Sequence, residues 1–200
     1  MAEASPKSER VRMFVALDLP ERTREGIAMW GTEALTDPAL RTVAPESLHI
    51  TLAFLGLRPQ SDVESLTGVL TGAAAPAPLV ELRGPVGKPT PTQPRLFALP
   101  ALSPGAEQIQ AHLRELLVAE DLYEPEKRPF WPHVTVARVR SEGRGSRRPM
   151  GVQRPPKDLP GGLEEVFYGV RLTLYRSVLQ PSGARYVPLA QVELPGAGWQ

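Results

Sequence analysis

Cysteine is absent from all 200 residues, which removes disulfides, thiolate metal sites and cysteine nucleophiles at one stroke. Neither sign of charge is in excess. Lys plus Arg number 23 against 22 for Asp plus Glu, so no overall field marks a bulk nucleic-acid binder, and any polyanion site must be local. No uninterrupted apolar run is long enough to span a bilayer, and residues 1–10 lack the apolar stretch of a signal peptide. The expectation is a soluble cytoplasmic protein without a membrane partner. No Gly-x-Ser-x-Gly elbow occurs, which argues against a serine hydrolase of that type. Histidine is scarce, with only three copies.

What is present is enough apolar material for a real core, at 42% of residues. The 23 prolines and 17 glycines gather between periodic segments and read as loops. A polar tail over residues 1–10 precedes a strand in which Val11, Met13, Val15 and Leu17 share one face and Phe14 lies on the other. Pro20 suits a first helical position, and Ile27, Trp30 and Ala34 follow at helical spacing. Ser61 with Glu64 suggests a capping box ahead of a second helix carrying Val63, Leu66, Val69 and Leu70. Residues 79–83 alternate as a strand, a Gly/Pro-rich loop runs to Pro94, and residues 95–99 form a short strand. Ser103 and Pro104 begin a third helix with Ile109, Leu113, Leu116 and Leu117 buried. Residues 166–175 read as one long strand and residues 184–194 as the last, before a short tail over 195–200. Residues 141–162 are basic, rich in Gly and Pro and without periodicity, so they read as a long flexible loop, either a solvated insertion or an arm for a nucleic-acid backbone. Three helices and about seven strands make an α+β protein.

Against that background one pattern occurs twice. Ser47-Leu48-His49-Ile50-Thr51-Leu52 and Pro132-His133-Val134-Thr135-Val136 each set a His and a Thr two residues apart within an aliphatic alternation. On a strand such residues point to one face, so each strand presents an imidazole beside a hydroxyl. Two imidazoles facing one substrate can hold complementary protonation states, one accepting a proton while the other donates. Hydrolysis of a phosphodiester asks for that division, and the Thr51 and Thr135 hydroxyls can donate to phosphate oxygens. Two histidines without a neighbouring carboxylate or thiolate make a poor zinc set, so neither a metal nor another cofactor is expected. The third histidine, His112, falls beside the stripe of the third helix and outside the pattern. Arg138 faces away from His133 on a regular strand and would reach phosphate only through a bulge.

The stretches Val11-Arg12-Met13-Phe14-Val15-Ala16-Leu17-Asp18-Leu19-Pro20, Leu48-His49-Ile50-Thr51-Leu52-Ala53-Phe54-Leu55-Gly56, Arg128-Pro129-Phe130-Trp131-Pro132-His133-Val134-Thr135-Val136-Ala137-Arg138 and Leu172-Thr173-Leu174-Tyr175-Arg176-Ser177 together resemble the successive motifs of the two-histidine phosphoesterases. The branch they resemble is the RNA 2′,3′-cyclic phosphodiesterases, also called 2′-5′ RNA ligases, over residues 11–194. The resemblance implies a single bilobal α+β domain of two antiparallel sheets with outer helices, and a cleft in which the two His-x-Thr strands face each other. It implies metal-free opening of a terminal 2′,3′-cyclic phosphate on RNA to leave a 2′-phosphate, and the same two histidines could ligate 2′-5′ ends as a side reaction; a monomer acting on RNA ends, tRNA fragments among them, is the expectation. By the same resemblance His49 donates a proton to the departing 3′ oxygen, His133 activates water, and Thr51 and Thr135 bind phosphate. Phe14 is either a stacking surface for a base or a core residue between the lobes. The chain departs from the family's usual pattern at Trp131, where a polar or basic residue is common, and in the length of residues 141–162. A small-molecule cyclic phosphodiesterase and a non-catalytic module that binds RNA ends are the competing readings.

Overall fold

The computed structural model describes residues 9–143, 145–163, 166–180 and 183–196. Its elements are β1 (Arg10–Asp18), α1 (Glu21–Ala34), β2 (Leu40–Thr42), β3 (His49–Pro59), α2 (Val63–Gly72), β4 (Leu79–Leu82), β5 (Val86–Pro89), β6 (Pro94–Leu102), α3 (Pro104–Ala119), β7 (His133–Val139), β8 (Phe167–Tyr168), β9 (Arg171–Gln180) and β10 (Gly183–Glu193). The fold is α+β, as expected. The strands run in the order β10-β9-β1-β3-β7-β6-β4-β8, with β2 added on β7 and β5 on β6. In place of two separate sheets there is one, because β3 and β7 pair at a single position, Ile50 with Val134. That one bridge joins two wings, and beyond it the strands diverge and leave room for a cleft.

Alternation along β1 decides which side is which. Val11, Met13, Val15 and Leu17 enter a core shared with Ile50, Leu52, Val134, Val136 and the buried faces of all three helices. Phe14 and Ala16, on the other face, form a small separate cluster with Tyr175. Residues of opposite parity thus serve opposite faces, one for stability and one for the cleft.

Helix starts follow local chemistry. Ser103 caps α3 by accepting from the Ala106 amide at 3.2 Å, and its hydroxyl donates to the Leu79 carbonyl at 2.6 Å, tying the helix to β4. The capping box expected from Ser61 and Glu64 does not form. A 3₁₀ turn over Gln60–Asp62 leads into α2, and Asp62 turns back to take the Arg58 guanidinium at 2.7 Å.

Three further readings are corrected. The Gly/Pro-rich stretch before Pro94 contains β5, which Val86 and Lys88 pair to β6 despite their neighbours. The single strand expected over residues 166–175 breaks into β8 and β9, because the first piece pairs with β4 and the second with β1 and β10; at the crossing Gly169 passes so close to Leu17 that a Cβ would sit 2.7 Å from its Cδ1. Residues 141–162, among those described, are anchored: Asp37 accepts from the Gln153 and Arg154 amides at 2.7 Å each, and Trp30 donates to the Asp158 carbonyl at 3.0 Å. Arg144 lies outside the described residues, as do 1–8 and 197–200 of the two expected tails. Glu9, Arg10 and Pro195 are held, through Gln60 N–H to the Glu9 carbonyl, Arg10 to the Leu57 carbonyl, and Ala77 N–H to the Pro195 carbonyl. No helix among the described residues is long and apolar enough to cross a membrane.

Candidate active site

The bridge between Ile50 and Val134 fixes the site. Those two residues are fully buried, as are Leu52 and Val136 nearly so, and the residues between them in sequence therefore point the other way. His49, Thr51, His133 and Thr135 all line one cleft of about 960 Å³, with Phe14 and Arg138 also on its wall. Every residue expected at the site is brought to it. His112 is not, being exposed on α3 at 4.0 Å from Glu115.

The two imidazoles are held alike. His49 Nδ1 lies 2.8 Å from the Ser47 carbonyl and His133 Nδ1 lies 2.7 Å from the Trp131 carbonyl. A carbonyl only accepts, so each Nδ1 carries the hydrogen and Nε2 of each neutral ring is an acceptor. His49 Nε2 lies 3.1 Å from the Thr51 hydroxyl, which donates to it while the ring is neutral. In both copies the anchoring carbonyl comes from the residue two before the histidine.

Their protein surroundings make both rings poor bases. Burial pushes the His49 pKa down to about 4, opposed by the Ser47 carbonyl and reinforced by His133 and Arg138. His133 is also lowered, mainly by burial, then by the Arg138 and Lys88 charges, with the Trp131 carbonyl opposing. Both are neutral at neutral pH. A phosphate anion between them would restore the charged form of one, since an opposite charge at close range favours ionisation.

Arg138 is the residue the sequence placed on the wrong face. Phe97 pairs with Ala137 but Ala98 pairs with Thr135, so Val136 is an extra residue on β7. That bulge reverses the parity after it, and Arg138 comes round to the cleft. Val136 and Ala137 are consecutively buried, which is the mark the bulge leaves and which alternation alone could not foretell.

Aromatic rings back both histidines. Phe14 lies against His49 with centroids 5.0 Å apart, Tyr175 lies 5.3 Å from Phe14, and Tyr186 meets His49 edge-on at 5.3 Å. Only 3% of Phe14 is exposed, so almost none of its ring is free to stack on a base, and its place is behind the imidazole. Tyr175 is itself fixed by a buried carboxylate: Asp18 accepts from the Tyr175 hydroxyl at 2.9 Å, the Thr173 hydroxyl at 2.8 Å and Arg171 Nε at 3.1 Å. On the other wing Trp131 stacks on His133 at 4.1 Å and 18°, and Lys88 Nζ lies 4.6 Å from the Trp131 ring. Asp18 and Tyr175 stand in two of the stretches that carry the family resemblance, but nothing local assigns them a role, since the contact that unites them spans 157 positions; Tyr186 and Lys88 carried no pattern in the sequence. Among the described residues no cluster of three or more His, Cys, Asp or Glu is placed to hold a metal ion.

This geometry, two hydroxyl-flanked imidazoles facing each other across a cleft of an antiparallel α+β fold, is that of a two-histidine phosphoesterase. A family model described as the 2′-5′ RNA ligase superfamily matches residues 19–146, and the chain belongs to that family. It is 32% identical over 194 residues to the RNA 2′,3′-cyclic phosphodiesterase of Thermus thermophilus, covering 93% of this chain and 91% of that one. It is 29% identical to the enzyme of the same name from Escherichia coli, covering 91% and 96%. The crystal structure of E. coli LigT complexed with 3′-AMP superimposes with a TM-score of 0.71 at 28% identity, over 93% of this chain and 99% of that one.

Proposed function

We propose that this chain is an RNA 2′,3′-cyclic phosphodiesterase that opens a terminal cyclic phosphate to a 2′-phosphate by metal-free acid–base catalysis. The observation that carries the reading is the pair of imidazoles, one from each wing, each anchored through Nδ1 so that Nε2 carries no hydrogen, lining one cleft with two threonine hydroxyls and a guanidinium; His49 Nε2 accepts from the Thr51 hydroxyl. His133 takes a proton from water as it attacks phosphorus. The P–O3′ bond breaks and His49 protonates the departing 3′ oxygen, leaving the phosphate on O2′. Thr51, Thr135 and Arg138 bind the non-bridging oxygens and oppose the charge that develops on them. Phe14 and Trp131 hold the two imidazoles in orientation.

The His49 pKa of about 4 leaves the ring neutral at neutral pH, so the acid is made when the substrate binds. The substrate's own negative charge supplies the drive, drawing a proton onto the more buried ring as it displaces water. A 5′-hydroxyl in place of water would give a 2′-5′ linkage by the same proton transfers, as a side reaction. The enzyme acts as a cytoplasmic monomer on RNA ends such as those of cleaved tRNA.

The test is to treat purified, EDTA-washed protein with an RNA bearing a 2′,3′-cyclic phosphate and to identify the end formed, beside a His49→Ala/His133→Ala control. A 2′-phosphate from the wild type alone is expected. Turnover of a mononucleotide cyclic phosphate but not of RNA would point to a small-molecule enzyme. Binding of the RNA end without product would point to a non-catalytic module.

A further inference from the structure

A second recess of about 290 Å³ opens beside the histidine cleft and shares Thr51, Phe54 and His133 with it. Four aromatic rings wall it: Phe54, Tyr123, Phe130 and Trp131. Arg114 and Arg128 stand at the same recess with Glu126 as the one opposing charge, so the rim is net positive by one. Phe54 is 60% exposed, so much of its ring is open to the solvent at the recess. Trp131 links the two cavities, since its indole walls the recess and stacks on His133.

The proton transfers require none of this. Water needs no aromatic walls, and the cyclic phosphate is already met by the hydroxyls and Arg138 in the larger cleft. Aromatic faces beside a positive rim are what single-stranded nucleic acid asks for, because any base stacks on a ring and its phosphate pairs with a guanidinium. A volume near 300 Å³ is at the small end of ligand pockets and suits one base in place of a whole oligonucleotide. The larger cleft, at about 960 Å³, has room for the terminal nucleoside.

Resting on the phosphodiesterase reading, we infer that the recess formed by Phe54, Tyr123, Phe130 and Trp131 is a subsite for the penultimate nucleotide of the RNA, its base among the rings and its backbone phosphate at Arg114 and Arg128. The subsite makes the enzyme prefer RNA over a mononucleotide. It also couples that preference to chemistry, because the indole of Trp131 walls the recess and at the same time backs His133.

The experiment compares hydrolysis of adenosine 2′,3′-cyclic phosphate with that of the ApA dinucleotide carrying the same end. The wild type should favour the dinucleotide in kcat/KM by about 5- to 150-fold, the range that one base–aromatic stack spans. Tyr123→Ala should remove most of that preference and Tyr123→Phe should keep it. Arg114→Ala should flatten the salt dependence of KM for the dinucleotide. Neither residue lines the histidine cleft, so both variants should turn over the mononucleotide as the wild type does. Equal turnover of the two substrates by the wild type overturns the proposal, as does a matching loss on both substrates in a variant whose thermal melt is unchanged. If neither substrate is hydrolysed, the phosphodiesterase reading has failed by itself. Equilibrium binding of the two nucleotides then decides the subsite, which stands only if the dinucleotide binds more tightly and Tyr123→Ala abolishes the difference.

Discussion

The two wings of the sheet carry the same motif in unlike surroundings. On the β3 side His49 sits deep among Phe14, Tyr175 and Tyr186, with its Nε2 against its own threonine. On the β7 side His133 rests on one indole, and two of the charges acting on it are those of Lys88 and Arg138. The shared part is local: a strand, a carbonyl two residues back and a hydroxyl two residues on. The unlike part is tertiary. The likeness of the two imidazoles comes from the motif, and the difference in their surroundings comes from what each wing packs behind it.

Removing either imidazole breaks the comparison most severely. His49→Ala and His133→Ala should each lower kcat by about 10²- to 10⁴-fold, the range for loss of general acid–base help, measured as release of 2′-phosphate ends. Phe14→Ala comes next. It should cost about 3–5 kcal/mol of stability, as deletion of a buried phenyl ring does, read by denaturant melts, and should lower activity further by freeing His49.

Acid should then sharpen the difference in burial. The folded pKa of His49 lies at about 4, below the ordinary value near 6.5, so the unfolded chain binds more protons between those limits. Stability is therefore fully present above about pH 6.5 and falls as the pH drops toward 4. A pH series of melts on the wild type and on His49→Leu checks this, and the substituted chain should lose part of the slope. Lys88→Met gives a smaller effect. Without that positive charge the pKa of His133 rises, so the limb of the rate profile governed by the base should move to higher pH, with kcat at the plateau little changed. His112→Ala should alter neither activity nor stability by more than about 0.5 kcal/mol.

How much of this was readable depends on the range of the interaction. Alternation within β1, β3 and β7 tells core from cleft, which is why His49, Thr51, His133 and Thr135 are recoverable from spacing alone. The three helices announce themselves by periodicity. Arg138 is lost because a bulge at Val136 is an event between strands, set by the pairing of β6 with β7. β5 is hidden because Gly87 and Pro89 look like loop residues until β6 supplies a partner. The basic segment looks unstructured because its order comes from Asp37, more than a hundred residues away, and not from its own sequence. The same holds for Trp131, whose neighbour in sequence gives no hint that its ring lies flat on His133.

The claim that two unlike imidazoles share one proton-transfer reaction is tested most directly by the pH dependence of kcat/KM for a cyclic-phosphate RNA in EDTA, for the wild type and each single histidine variant. A bell is predicted for the wild type, with apparent pKa values that belong to the pair. His133→Ala should lose the acidic limb and His49→Ala the alkaline one. A wild-type rate that climbs steadily through alkaline pH, or variants that keep both limbs, would contradict the account.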